Sequence, residues 1–122
     1  MEEVKLFDAE YRLMEIIWDN EPINSTQLVK IANKKLDWKK STTYTVVRKL
    51  SDRKIIENKY ATIKSLVDKE SVLMSESKEF LDKMYKGSLK MFLVGFLNNN
   101  GISEEEAKEL KKIINENIDK EV

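Results

Sequence analysis

The sequence contains neither cysteine nor histidine. Together these absences remove thiol nucleophiles, imidazole bases, thiolate metal sites and Ser-His-Asp arrangements. The carboxylates that remain are spread along amphipathic faces, with no Gly-rich phosphate loop or His-x-x-Glu-type motif to organise them. They read as a solvated surface, so the chain is expected not to be an enzyme and to need no metal or cofactor. Pro22 is the only proline and there are three glycines, so little of the chain is loop. No apolar run approaches the roughly 20 residues that span a bilayer. The opening Met1-Glu2-Glu3-Val4-Lys5 is acidic and has no signal-peptide core behind it. A cytoplasmic protein without a membrane partner is expected, and zero cysteine fits a reducing compartment.

The 122 residues suit one domain, or a compact head of about 65 residues with a helical tail that needs a partner. A formal net charge of zero hides an asymmetry. Residues 1–29 carry net −5, residues 30–64 net +8, and residues 65–122 net −3. A basic segment between acidic ones supplies the local field that a phosphate-binding surface needs, whatever the global charge. A lysine-rich solvated surface is the other reading of that segment.

Hydrophobic spacing predicts the elements. Tyr11, Leu13, Met14, Ile16, Ile17 and Trp18 form an apolar stripe on a helix from about Asp8 to Asn20. Asp8 serves there as N-cap or first-turn anion. Glu21-Pro22 closes this helix, because proline disfavours helical geometry in the residue before it. Asn24 is placed to cap a second helix, with Gln27 as capping-box partner and Ile23 stapled against Leu28. A third helix follows from Lys39 or Ser41 to about Arg53. Thr43, Val46, Val47 and Leu50 fall at i, i+3, i+4 and i+7 and form its buried stripe, while Ser41, Tyr44, Thr45 and Arg48 share another face. Ile55-Ile56 and Ala61 to Val67 read as two short strands joined around Asn58-Lys59-Tyr60.

After Asp68 three more helices are predicted. One carries Val72, Leu73, Phe80, Leu81 and Met84; the next, after Gly87, carries Leu89, Phe92, Leu93, Phe96 and Leu97. Asn98-Asn99-Asn100-Gly101 is a turn, and Ser103 with Glu106 opens the last helix, which carries Leu110, Ile113, Ile114 and Ile118. These faces present more apolar surface than so thin a segment buries alone. Pairing with a second copy is the economical solution; packing against the head is the alternative. The expected fold is mainly α, with a winged helix-turn-helix head of three helices and a short hairpin over residues 1–67. A three-helix dimerisation tail spans residues 68–122.

Several stretches resemble one family. Ala9-Glu10-Tyr11-Arg12-Leu13-Met14-Glu15-Ile16-Ile17-Trp18 is similar to the opening of the penicillinase-repressor family. Pro22-Ile23-Asn24-Ser25 looks like its second-helix start. Trp38 followed by Ser41-Thr42-Thr43-Tyr44-Thr45-Val46-Val47-Arg48-Lys49-Leu50 resembles its recognition helix. Glu76-Ser77-Lys78-Glu79-Phe80-Leu81 and Tyr85-Lys86-Gly87-Ser88-Leu89 resemble its linker and dimerisation helices. No single motif decides the match, but their order and spacing are specific and cover nearly the whole chain.

The resemblance implies a homodimeric repressor on a palindromic DNA operator, typically controlling β-lactamase or penicillin-binding-protein genes and relieved by a sensor-linked protease. On that footing Ser41, Thr42, Tyr44, Thr45 and Arg48 are assigned to base reading. Lys39, Lys40, Lys49 and Lys59 are assigned to phosphates. Tyr44 has packing at the head's rim as an alternative, and Trp38 reads as a core anchor. Phe80, Leu81, Met84, Leu89, Phe92, Leu93, Phe96, Leu110, Ile113 and Ile114 are the dimerisation candidates. Three departures stand out. Asn58-Lys59-Tyr60-Ala61 replaces a longer wing with a Gly-Arg tip, which puts wing contacts to DNA in question. The paired cysteines of copper-responsive relatives are missing, which excludes metal sensing by that route. Gly95-Phe96 stands where classical members carry a cleaved Asn-Phe bond, and Phe96 also belongs to the apolar stripe. The competing functions are a winged-helix protein-interaction module and a repressor released by a small ligand.

Overall fold

A computed structural model describes residues 4–118. The elements run α1 (Asp8–Asn20), β1 (Ile23–Asn24), α2 (Ser25–Leu36), α3 (Lys40–Asp52), β2 (Ile56–Lys59), β3 (Thr62–Ser65), α4 (Lys69–Tyr85), α5 (Leu89–Asn99) and α6 (Glu104–Glu116). The chain forms two compact units, residues 1–78 and 79–122. The first is a winged helix: three helices, then a hairpin, in a small antiparallel sheet of order β1-β3-β2. The second holds the end of α4 together with α5 and α6.

The helix starts follow from local chemistry. At α1 the Glu10 carboxylate reaches back to accept from Phe7 N at 3.0 Å. Phe7 is thereby the cap position and Asp8 sits in the first turn, as an anion near the positive helix end. Glu21 is extended ahead of Pro22 and stops the helix. Its carboxylate then accepts from Ser65 N at 2.7 Å and from the Ser65 hydroxyl, fastening the end of α1 to β3. Asn24 caps α2 by accepting from Thr26 N at 2.8 Å, so the contact is made one residue earlier than Gln27. Asp37 ends α2 in the left-handed region, with φ of 57°; its N–H donates to Asn33 O at 3.1 Å and that of Trp38 to Ala32 O at 3.4 Å.

One core serves the first unit. Leu13, Met14 and Ile17 of α1, Leu28 and Ala32 of α2, and Val46, Val47 and Leu50 of α3 are all buried. Ile23, Ile56 and Ile63 close it from the sheet. Trp38 packs half-buried against it, as an anchor should. Val72 is 1% exposed in the same core, and Glu76 accepts from Leu6 N at 3.3 Å. The first turns of α4 therefore complete the head's packing.

The sheet departs from expectation in three ways. Strand β1 is additional: Ile23 pairs with Ile63 and Asn24 with Thr62. Strand β2 runs over Ile56–Lys59, so Asn58 and Lys59 are strand residues, and Ile55 precedes it with its N–H on Leu50 O at 2.9 Å. Strand β3 is limited to Thr62–Ser65: Leu66 N still donates to Ile55 O at 2.8 Å in the same register, but the reciprocal bond is lost because Ile55 N–H is held by Leu50 O. Lys59 pairs directly with Thr62, which leaves Tyr60-Ala61 as a two-residue turn. Both turn residues are left-handed, with φ of 53° and 62°. That geometry is a type I′ turn, which matches strand twist and favours Asn-Gly. For side chains with a Cβ it costs about 1–2 kcal/mol per residue. Ser25 N donates to Ala61 O at 2.9 Å and bolts this tip to the start of α2.

In the second unit Ser88 caps α5 through Met91 N at 3.0 Å and Ser103 caps α6 through Glu106 N at 3.1 Å. The expected Asn-rich turn is shorter than Asn98 to Gly101, since α5 continues through Asn99, whose amide donates to Gly95 O at 2.9 Å. No residue of α5 or α6 is buried.

Ala61→Gly is expected to raise stability by about 1 kcal/mol, because glycine takes positive φ without the Cβ cost and gives back part as unfolded-chain entropy. Urea denaturation reads this directly. Asp68 caps α4, accepting from the Ser71 hydroxyl at 2.8 Å and from Ser71 N at 3.2 Å. Those two bonds hold its carboxyl below the usual carboxylate range. A lowered folded pKa stabilises the fold above the unfolded value and stops doing so as pH falls through the folded one. Asp68→Ala should therefore lower Tm at neutral pH, and the gap from the parent should close as the solution is acidified through that lowered pKa.

Candidate nucleic-acid interface

Helix α3 sorts its residues by depth. Thr43, Val46, Val47 and Leu50 are 0 to 7% exposed. Ser41, Thr42, Tyr44, Thr45, Arg48 and Lys49 are exposed. The spacing leaves no choice: with one stripe turned into the core, the opposite stripe faces outward. All five base-reading candidates share that exposed side.

Their local bonds refine what each can offer. The Thr45 hydroxyl donates to Ser41 O at 2.9 Å, so its methyl and an oxygen lone pair are what remain for a partner. Tyr44 is 37% exposed, and Lys40 Nζ sits 5.9 Å from its ring centroid one turn earlier. The ammonium thus shares the aromatic surface, worth about 0.5–1 kcal/mol when exposed. Arg48 is exposed and makes no ion pair among the described residues. Its five donors are available for bidentate recognition.

The candidate phosphate-binding lysines come from different elements. Lys39 is the residue before α3, with no side-chain cap on the helix start, and Lys40 is its first residue. Lys49 lies in the last turn of α3, and Lys59 ends β2 beside the wing tip. All four are exposed. The first turn of α3 contains no acidic side chain, so the positive helix end is left uncompensated.

Arg53 has a different use. Although it belongs to the basic segment, its guanidinium donates to the Glu10 carboxylate and to Lys5 O, and lies 5.9 Å from the Phe7 ring. Glu10 is 5% exposed. This pair ties the C-terminal end of α3 to the start of α1, across 43 residues of sequence. Spacing alone does not reveal it; the only hint is an acidic residue inside an apolar stripe.

The dimerisation candidates lie in the second unit. Met84, Leu89, Phe96, Ile113 and Ile114 are 48 to 61% exposed, Phe80 is 46% exposed, and Leu81, Phe92, Leu93 and Leu110 are half-buried. Phe92 is the centre of an aromatic cluster, its ring 5.3 Å from Tyr85, 5.9 Å from Phe80 and 5.8 Å from Phe96. Gly95-Phe96 lies within α5, and a Cβ at Gly95 would meet open space. Among the described residues no helix is long and apolar enough to cross a membrane.

A three-helix head, a hairpin wing bolted to the helix-turn-helix, and a cationic outward face on α3 define a winged helix-turn-helix protein. The chain belongs to the penicillinase-repressor family, whose profile matches residues 6–116. Relatives include the methicillin resistance regulatory protein MecI of Staphylococcus aureus (strain N315), 27% identical over 115 residues, covering 91% of this chain and 94% of that one. The penicillinase repressor of Bacillus licheniformis is 28% identical over 116 residues, covering 92% and 91%. That of Staphylococcus aureus is 28% identical over 119 residues, covering 93% and 94%.

Arg53→Ala is expected to destabilise the fold by roughly 2 kcal/mol, because it strands a buried carboxylate that, among the described residues, keeps only the Phe7 amide. Urea denaturation of the variant measures it. A loss below a few tenths would mean that Glu10 finds another partner.

Proposed function

We propose that the chain is a transcriptional repressor that binds a palindromic operator as a homodimer, in the cytoplasm, and controls antibiotic-resistance genes. The observation that carries this reading is the split of α3 into a buried apolar stripe and an exposed polar, cationic one, within a chain of the penicillinase-repressor family. The names of its relatives, a penicillinase repressor and a methicillin resistance regulator, supply the target class. In this reading the head over residues 1–67 binds DNA and residues 68–122 pair two copies.

The chemistry divides by side chain. Arg48 reads guanine through its paired donors, Thr45 sets its methyl against thymine, and Ser41 and Thr42 contact neighbouring base edges. Tyr44 completes the base-reading set. Lys39, Lys40, Lys49 and Lys59 hold the phosphates and fix the register. Two heads joined through Phe80, Leu81, Met84, Leu89, Phe92, Leu93, Phe96, Leu110, Ile113 and Ile114 reach half-sites about 34–36 Å apart, or a multiple of that. Relief comes from a sensor-linked protease. The Gly95-Phe96 bond lies in α5, so cutting there requires local opening of that helix.

Selection of duplexes from a random pool tests the reading, with dimer mass measured alongside. A palindrome is expected, with binding that weakens linearly on a log–log salt plot. Indifference to DNA at low salt sinks the proposal and leaves the winged helix as a protein-binding module. Arg48→Ala should lose about 1–3 kcal/mol of sequence discrimination while staying folded. An equal loss on every sequence makes Arg48 a phosphate contact instead. Full-length protein in derepressed, β-lactam-treated cells would replace proteolysis with release by a small ligand.

A further inference from the structure

The residues just ahead of α1 are tied to three different helices in succession. Lys5 O accepts from the guanidinium of Arg53, the residue that ends α3. Leu6 N donates to the Glu76 carboxylate of α4 at 3.3 Å. Phe7 N donates to Glu10 of α1 at 3.0 Å, and Glu10 also accepts from Arg53. The first two bonds belong to one peptide unit, whose carbonyl and amide point to opposite edges of a rigid plane. That single plane therefore stands between Arg53 on one side and Glu76 on the other. A carboxylate on the amide polarises the unit and strengthens its carbonyl as an acceptor for the guanidinium. The Leu6 side chain, 8% exposed, anchors the unit in the core.

Among the described residues, α4 is set against the rest of the head at few points. Val72 is buried in the core, and Val67 O, just before the helix, accepts from Trp18. Beside these the packing stops: an open cleft of about 460 Å³ is bordered by Leu6, Tyr11, Leu73 and Glu76. The bond from Leu6 to Glu76 joins two of its borders. We infer that residues 5–7 form a strap coupling the setting of α4 to that of the reading helix α3, which makes Glu76 a positioning residue for DNA recognition. The inference rests on the operator-binding reading above. Glu76 acts through the Lys5–Leu6 peptide on Arg53, and so on the end of the helix that carries Arg48.

The test uses the full chain, a duplex it recovers from a random pool, and an unrelated duplex of equal length. Glu76→Ala removes the acceptor, whereas Glu76→Gln removes the charge and keeps an oxygen for Leu6 N. Glu76→Ala is expected to bind the recovered duplex about threefold to tenfold more weakly, with dimer dissociation unchanged and part of the preference over the unrelated duplex lost. Glu76→Gln should bind as the parent or tighter. Loss of a negative charge alone tightens binding to DNA in both variants, so a loss in the alanine variant only is the strap's signature. Combined with Arg53→Lys, the losses should be less than additive, because both act through one peptide. Coupling is reciprocal, so the recovered duplex should slow amide exchange in the first turns of α4, a measurement that needs only the parent chain. Parent-like binding by Glu76→Ala, an equal loss in Glu76→Gln, additive losses, a matching loss of dimer, or unchanged exchange in α4 overturns the strap and leaves the repressor reading intact. Failure of the parent chain to retain any duplex removes both.

Discussion

Everything that α3 presents depends on what it hides. Thr43, Val46, Val47 and Leu50 are held in the core against Leu13, Met14 and Ile17 of α1 and Leu28 and Ala32 of α2. A helix has one azimuth, so anchoring that stripe fixes where Ser41, Tyr44, Thr45 and Arg48 stand. The one polar member of the stripe, Thr43, is satisfied internally, its hydroxyl 3.4 Å from Lys39 O. Removing a buried aliphatic side chain here would leave a cavity costing about 2–5 kcal/mol, and would also free the helix to roll. Packing and recognition are the same constraint seen from two sides.

Two long-range ties hold this helix pair in its setting. Arg53 secures the end of α3 to Glu10 and to the segment before α1. Glu21 secures the end of α1 to Ser65 of β3. Trp18 adds a third, its indole donating to Val67 O at 3.0 Å, where the wing leaves for α4. These ties run between chain segments far apart in sequence, and each satisfies a polar group close to the core.

The parts governed by local rules were legible from the sequence. The stripe of α3 followed from i, i+3, i+4, i+7 spacing, and the starts of α2 and α6 from Asn24 and Ser103. The wing was harder. A two-residue strand such as Ile23–Asn24 has no periodicity to detect, and Asn24 hid it by also being a helix cap. Tyr60-Ala61 carries neither glycine nor asparagine, so nothing in its composition announced positive φ; the turn is imposed by the pairing of Lys59 with Thr62 on either side. Arg53 counted only as one more positive charge until its partner Glu10, 43 residues away, came into place. The exposed face of α3 was therefore readable from spacing, and the backbone geometry of the wing tip was not.

The bare apolar faces of α5 and α6 bear on how such a protein responds to its own abundance. Where two copies must meet before either head is useful, the active species scales with the square of the free chain at low concentration. Halving the supply then removes roughly three quarters of the assembled form. In the proposed dimeric repressor, a controlled gene would see a steeper threshold than any one-site binding curve allows, with the steepness set by the pairing of the tail helices.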